Sequence, residues 1–234
     1  MATNVMNQPG PLQMKGISLA GTNLKGRDLT KSVLVDCDLS SAILHGAILV
    51  KADLTNANLN DAILQDADLT EVCLKNARLI GAYLWRANLQ KSNLENANFE
   101  RAFLEYTILK EANIKGGILR EAKLKGSNLA GAILQGANLD GTDLVKSNMQ
   151  SVTLRDASLK KADLREVDLK GARLMDADFY QANLAGAILK NTHLERANLA
   201  GANLRGADLS GADLEDAIMP DGNPYDPKHP RRGW

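Results

Sequence analysis

The sequence predicts an all-β solenoid, a rod made of one short unit repeated along an axis. The first observation is an unbroken five-residue period: an apolar residue stands at every position whose number ends in 4 or 9, from Met14 to Met219. The second is that 36 of these 42 central residues are Leu. The third is that no regular element has this period, since five-residue steps alternate between the faces of a flat strand and rotate by about 140° around an α-helix. Each unit must therefore carry the same bend, so that every central residue faces one axis. The six central residues other than Leu are all apolar: Met14, Phe99, Ile114, Met149, Phe179 and Met219.

The residue two positions before each central residue is the second predicted interior position, because strand alternation puts the two on the same side. It is Ala in 26 of the 42 units, and nearly all the others are small. The exceptions lie near the N-terminus. We interpret Leu12 and Ile17 as a plug for the open end of the solenoid, and Arg27 is the only charged residue at such a position.

The remaining three positions of each unit face outward. Asp or Asn takes about half of the positions just before the central residue, and these residues hydrogen-bond to nearby backbone and tolerate turn conformations. The two positions after it are mostly Gly, Lys, Glu, Gln, Ser and Asp, which is typical of a solvated turn.

These units resemble the pentapeptide-repeat family, whose pattern is A(D/N)LXX. The stretch from Ala197 to Ala217 shows it most clearly and reads ANLAGANLRGADLSGADLEDA, and the match extends over about residues 12–219. The resemblance implies a right-handed, four-sided parallel β-helix with about four pentads per coil and about ten coils. At about 4.8 Å per coil, the rod would be roughly 50 Å long. The residues alone do not choose four sides over three.

Composition and charge restrict the possible partners. The 234 residues are 44% apolar but only 4% aromatic, so stability must come from repetition rather than from a compact aromatic core. The 28 basic and 28 acidic residues cancel, and such a balance argues against direct nucleic-acid binding, which needs a basic surface.

The cysteines and the hydropathy pattern predict a cytoplasmic protein. Cys37 and Cys73 fall on different sides of a twenty-residue coil, so we expect no disulfide between them. No apolar run approaches the roughly 18 residues of a membrane span, and the N-terminus shows no charged or hydrophobic leader.

We expect one repeat domain with a short segment at each end. Residues 1–11 would be an N-terminal lead-in or cap, residues 12–219 the β-helix, and residues 220–234 a proline-rich tail. Proline cannot supply the amide that another stacked coil needs. The tail would either cap the open core with Tyr225 and Trp234 or be disordered.

The sequence predicts no catalytic, cofactor or metal site, and we expect no enzymatic activity. The three histidines, His45, His193 and His229, do not cluster in sequence or share a side of the coil. Acidic and basic ladders could form the cleft of a β-helix enzyme, but a cleft needs long loops, and the repeat contains no insertion.

One group of outward residues is unusual. Under a twenty-residue coil, bulky apolar residues occupy the position before Leu on four successive coils of one side, where Asp or Asn is the rule. Four of the nine aromatic residues gather there beside an arginine. Exposed aromatic residues near an arginine are typical of protein interfaces, although such a ladder could also only stiffen the rod by stacking. The candidate protein-interaction residues are Ile43, His45, Ile63, Tyr83, Trp85, Arg86, Phe103 and Tyr106.

Three functions remain compatible with the sequence. The first is a non-enzymatic protein-interaction or scaffold protein, with regulation as one candidate role, that binds an unidentified protein partner and is a monomer or a weak end-to-end oligomer. The second comes from the resemblance, because some family members resemble B-DNA and protect DNA gyrase; that role needs an acidic surface and a C-terminal helix, and neither is evident. The third is a β-helix enzyme. Long arrays of this kind are common in cyanobacteria, so the resemblance also suggests such a source.

Overall fold

The computed structural model describes residues 10–228, which form a rod of stacked coils. Two short strands, β1 (Gln13–Lys15) and β2 (Val33–Val35), pair in parallel at the N-terminal end, with Met14 opposite Leu34. Beyond them the coils are joined by single parallel bridges between residues 20 positions apart, from Ser18 with Asp38 to Asn198 with Ile218. Four pentads therefore make one coil, and residues 12–219 make about ten coils.

Each coil is hydrogen-bonded to both of its neighbours along the axis. The Leu44 amide donates to the Ile63 carbonyl of the next coil at 2.7 Å, and the Ile63 amide donates back to the Ala42 carbonyl at 2.9 Å. The same pair of bonds recurs on all four sides. The fold is the right-handed, four-sided parallel β-helix that the resemblance implies, and hydrogen bonds between coils satisfy backbone polar groups on every side of the rod.

A tight turn at each corner supplies the bend that the period demands. The Ala42 amide donates to the Leu39 carbonyl at 3.0 Å, and between them Ser41 has a φ of 54°. A positive φ at the third residue of such a turn fits a type II turn, which favours Gly and Asn. The second position after each Leu has a positive φ in turn after turn, so every pentad rotates the chain onto the next side.

The core is a column of Leu and Ala side chains, as predicted. The central positions from Leu34 to Leu204 are at most 3% exposed, and Phe99 and Phe179 are accommodated among them. Where Ser or Thr replaces Ala, the hydroxyl usually donates to the carbonyl three residues earlier, as Thr107 does to Leu104 at 2.7 Å. Most of these small polar residues thus enter the core with a hydrogen bond, although the buried Ser127 hydroxyl has no partner among residues 10–228.

The N-terminal end differs from the predicted plug at one residue. Leu12 is buried at 3% exposure, but Ile17 is 42% exposed. The interpretation of Ile17 as part of the plug is therefore wrong. Its coil is the first, so no preceding coil in the described part of the chain covers that side.

At the C-terminal end the chain turns back against the last coil. Pro224 pairs with Ile218 in an antiparallel bridge, and the Tyr225 amide donates to the Ala217 carbonyl at 2.8 Å. The Tyr225 side chain is half-buried against the core. Trp234 lies outside the described residues.

Cys37 and Cys73 are both free thiols, Cys37 in the core and Cys73 half-buried on the outside. Burial raises the pKa of the Cys37 thiol. Residues 10–228 contain no helix of the length and hydropathy needed to cross a membrane.

Candidate protein-interaction face

The eight outward residues singled out from the sequence lie together on one side of the rod. We call this group the aromatic face. Ile43, Ile63, Tyr83 and Phe103 follow one another in a single ladder of parallel bridges that continues to Lys123. The other members stand two or three residues further along the same coils. The aromatic face consists of Ile43, His45, Ile63, Tyr83, Trp85, Arg86, Phe103 and Tyr106.

The aromatic rings are ordered against one another and open to solvent. Tyr83 and Phe103 stack in parallel, with ring centroids 4.9 Å apart and an interplanar angle of 0°. Tyr83 is 46% exposed, Trp85 36%, Phe103 38% and Tyr106 53%. The stack therefore offers a flat apolar surface on the outside of the rod, in addition to any stiffening that it provides.

Arg86 fixes the position of Trp85 and connects it to the preceding coil. Its guanidinium carbon lies 4.0 Å from the centre of the Trp85 ring, a cation–π contact. Its Nε donates to Asp66 Oδ1 at 2.7 Å, and His45 Nδ1 lies 3.9 Å from Asp66 Oδ2. Asp66 thus joins residues of three coils, and the sequence analysis did not single it out. The signal in the sequence would have been that Asp66 and Arg86 are 20 residues apart, at the same turn position on adjacent coils.

Tyr106 occupies a corner, with a φ of 58°. It is the only aromatic residue among the positive-φ positions of residues 10–228. Its ring extends over the next coil, where a Cβ at Gly126 would lie 2.7 Å from Tyr106 Cε1. Glycine at position 126 is thus required for the Tyr106 ring to lie flat along the rod.

The apolar ladder lacks a hydrogen bond that the polar ladders have. Where Asp or Asn precedes Leu, its side-chain oxygen usually accepts from the amide two residues later, as Asn98 does from Glu100 at 2.9 Å. Ile, Tyr and Phe have no such acceptor, and within residues 10–228 the amides of His45, Gln65, Trp85 and Glu105 donate to no protein group. The fold does not require apolar outward residues to follow one another in a ladder. Ile108, for example, is an exposed isoleucine that stands between polar residues of the neighbouring coils.

No group of three or more His, Cys, Asp or Glu side chains in the described part of the chain is placed to hold a metal. His45 and His193 lie on opposite sides of the rod, eight residues out of phase in a twenty-residue coil. His229 is outside the described residues.

The fold and its five-residue period define a class of protein, the four-sided β-helix built from pentapeptide repeats. The chain belongs to the pentapeptide repeat family. A family model for pentapeptide repeats matches it repeatedly, over residues 17–56, 37–76, 47–86, 77–116, 119–150, 143–181 and 177–216.

Among solved structures, the chain is similar to HetL, a pentapeptide repeat protein involved in the regulation of heterocyst differentiation in the cyanobacterium Nostoc sp. strain PCC 7120. The identity is 32%, the alignment covers 92% of this chain and 94% of HetL, and the TM-score is 0.69. A structure of QnrB1, a plasmid-mediated fluoroquinolone resistance protein, is 18% identical over 88% of this chain and 89% of QnrB1, with a TM-score of 0.34. A comparison with curated proteins gives no match.

Proposed function

We propose that this protein is a non-enzymatic scaffold, located in the cytoplasm, whose aromatic face binds a protein partner. The observation that carries the proposal is the exposed Tyr83–Phe103 stack beside the Trp85–Arg86 pair. Trp, Tyr and Arg are enriched among the residues that contribute most of the binding energy of protein interfaces. The similarity to HetL supports a regulatory role, because HetL takes part in regulation and has the same repeat architecture.

The rigidity of the face favours binding to a preformed partner surface. The aromatic side chains stand on a backbone that is hydrogen-bonded to the coils on both sides. Asp66 holds Arg86 through a hydrogen bond, and the Tyr106 ring lies over Gly126, whose lack of a side chain leaves room for it. Little conformational freedom remains to be lost on association, which lowers the entropic cost of binding.

The charge distribution disfavours the alternative of a DNA mimic. The 28 acidic residues are balanced by 28 basic ones, and acidic side chains such as Glu71 and Glu95 are paired with lysines on the adjacent coil. A mimic of the DNA backbone needs a continuous negative potential. We therefore expect no inhibition of gyrase supercoiling at micromolar protein, and salt-sensitive inhibition would favour the mimic instead.

The double variant Trp85→Ala with Phe103→Ala tests the proposal. Both side chains lie outside the core, so the thermal midpoint should change little. Capture of the partner from a lysate of the native host should be lost, because removing a hot-spot side chain typically costs about 2 kcal/mol or more of binding energy.

The matched control is Arg165→Ala with Asn183→Ala. These residues occupy the same positions in the coil as Trp85 and Phe103, four coils further along the same side of the rod. This control should capture the partner as the unaltered protein does. If the aromatic ladder only stiffens the rod, Trp85→Ala with Phe103→Ala will instead lower the midpoint by several degrees and leave capture intact. That result would remove the interaction function from the aromatic face.

A further inference from the structure

A groove of about 280 Å³ lies on the side of the rod opposite the aromatic face, in its C-terminal half. Its residues stand in two neighbouring columns. Thr153, Arg173 and His193 follow one another in one ladder of bridges, and Arg155 and Met175 stand two residues after the first two of them. We call it the arginine groove. It is lined by Thr153, Arg155, Arg173, Met175 and His193.

The charged side chains of the arginine groove are not paired in the way that is most common along the rod. Within residues 10–228, eight ion pairs join oppositely charged side chains 20 positions apart, that is, on adjacent coils, as Lys75 with Glu95 at 3.1 Å and Arg196 with Asp176 at 2.7 Å. Arg173 instead stands between Thr153 and His193. In the described part of the chain, no carboxylate oxygen lies within 4.0 Å of its guanidinium.

The second guanidinium of the groove is also weakly engaged. Arg155 Nε lies 3.6 Å from Asp156 Oδ2, and both side chains are about half exposed, 53% and 51%. A pair of this kind contributes little and can rearrange. Two guanidinium groups with ten N–H donors between them therefore border one concave surface, with few acceptors of their own.

A carboxylate lies beside His193 at the edge of the groove. His193 Nδ1 lies 3.5 Å from Glu195 Oε1, and the Glu195 side chain is only 14% exposed. Glu195 Oε2 is buried and has no hydrogen-bond partner among residues 10–228. Because Nδ1 is directed at Glu195, the other ring nitrogen, Nε2, points away from this carboxylate.

We propose that the arginine groove binds an oxyanion, the carboxylate or phosphate group of a ligand whose apolar part lies against Met175. Arg155 and Arg173 hold the oxyanion, and the Thr153 hydroxyl supplies an additional donor. Planar guanidinium groups suit this role because they present paired N–H groups that match the oxygens of carboxylate and phosphate. The rod then has two binding surfaces on opposite sides, and the oxyanion comes either from a free small anion or from acidic side chains of an extended peptide.

The test is a titration followed by the arginine Nε–H and backbone amide signals in nuclear magnetic resonance spectra. One arm uses inorganic phosphate, and the other uses a short peptide of glutamate residues. We expect saturable shifts at Arg155, Arg173 and His193. The exposed substitution Arg173→Gln should weaken binding by about tenfold or more, because it removes charged hydrogen bonds.

Arg78→Gln is the matched control, since Arg78 is an exposed arginine at the same register position on another side of the rod, between Asn58 and Asn98. It should bind both probes as the unaltered protein does. Saturation by phosphate identifies a free anion as sufficient, and saturation by the peptide alone identifies an acidic segment; both support the site. Three results overturn it: no saturable shift with either probe, unchanged binding in Arg173→Gln, or equal weakening in Arg78→Gln.

Discussion

The side of the rod that carries the aromatic face has two halves. Their backbone structure is the same, but their outward side chains differ. In its ladder the first half is apolar, with Ile43, Ile63, Tyr83 and Phe103, and the second half is polar, with Asp143, Asp163, Asn183 and Asn203. The hydrogen bonds between coils are the same in both. Leu84 N to Phe103 O measures 2.7 Å, and so does Leu164 N to Asn183 O.

The halves differ in what the outward side chains contribute locally. In the polar half, each side-chain oxygen accepts from the amide two residues later, as Asn183 does from Ala185 at 3.2 Å. In the apolar half this bond is absent, and stacked apolar groups take its place. The hydrogen bonds between coils are the same whether the outward residue is polar or apolar. The fold therefore places little restriction on the side chains at the outward positions. In the proposed function, the difference between the halves defines the binding surface, whereas the interior residues determine the fold.

The largest effect should come from the interior and should be equal in the two halves. Leu84→Ala and Leu164→Ala each remove a fully buried side chain, at 0% exposure in both cases. Each should cost about 2–5 kcal/mol of unfolding free energy, through lost burial and the cavity left behind. Chemical denaturation measures both, and a cost that differed severalfold between them would show that the halves do not share one core.

A smaller effect should appear in the polar half alone. Asn183→Ala removes an acceptor that takes hydrogen bonds from the Ala185 amide at 3.2 Å and from Asn203 Nδ2 at 3.1 Å. The expected loss is about 0.5–1.5 kcal/mol. Its counterpart Ile63→Asn should change the unfolding free energy by less than about 1 kcal/mol, since the Gln65 amide gains an acceptor as apolar contact is lost. A large loss for Ile63→Asn in the same denaturation experiment would mean that the apolar ladder is chiefly structural.

Acid should distinguish the halves further. Hydrogen bonds from Arg165 hold the pKa of Asp163 below its ordinary value of 3.8. Because the folded pKa is depressed, the carboxylate stabilises the fold above the unfolded pKa, and this contribution is lost as pH falls through the folded pKa. Thermal midpoints at pH 5.5 and 2.5 should therefore differ less for Asp163→Asn than for the unaltered protein. Ile63→Asn, which removes no carboxylate, should keep the full acid-induced drop.

The smallest effect should come from Lys125→Ala, at an exposed position just beyond the apolar half. Its loss should change the unfolding free energy by less than about 0.5 kcal/mol, because an exposed side chain outside any network contributes little. Denaturation midpoints provide the measurement. A cost as large as that of Leu84→Ala would reverse the assignment of inward and outward positions.

Much of the interior and part of the candidate site could be predicted from the sequence. The period alone identifies Leu84 and Leu164 as interior residues. To predict the ladder from Ile43 to Phe103, a coil of twenty residues had to be assumed, and that coil length was taken from the family resemblance. The link of Asp66 to His45 and Arg86 was missed, because it depends on side-chain directions at corners. Ile17 was assigned wrongly because an end coil has a neighbour on one side only.

The arginine groove was not predicted at all. Arg155, Arg173 and His193 are separated by 18 and 20 residues, and nothing local connects them. They become neighbours only when coils stack, and the concave surface between the columns depends on the lengths of Arg and Met side chains beside a shorter Thr.

The sequence by itself determined which side chains face inward, because a five-residue period combined with small and apolar residues admits one interior. The tertiary structure decided which outward side chains meet. Contacts between coils join residues 20 positions apart, so they depend on the number of sides in a coil. The corners accept residues as different as Gly, Lys and Tyr at positive φ, so the outward sequence places little constraint on that number.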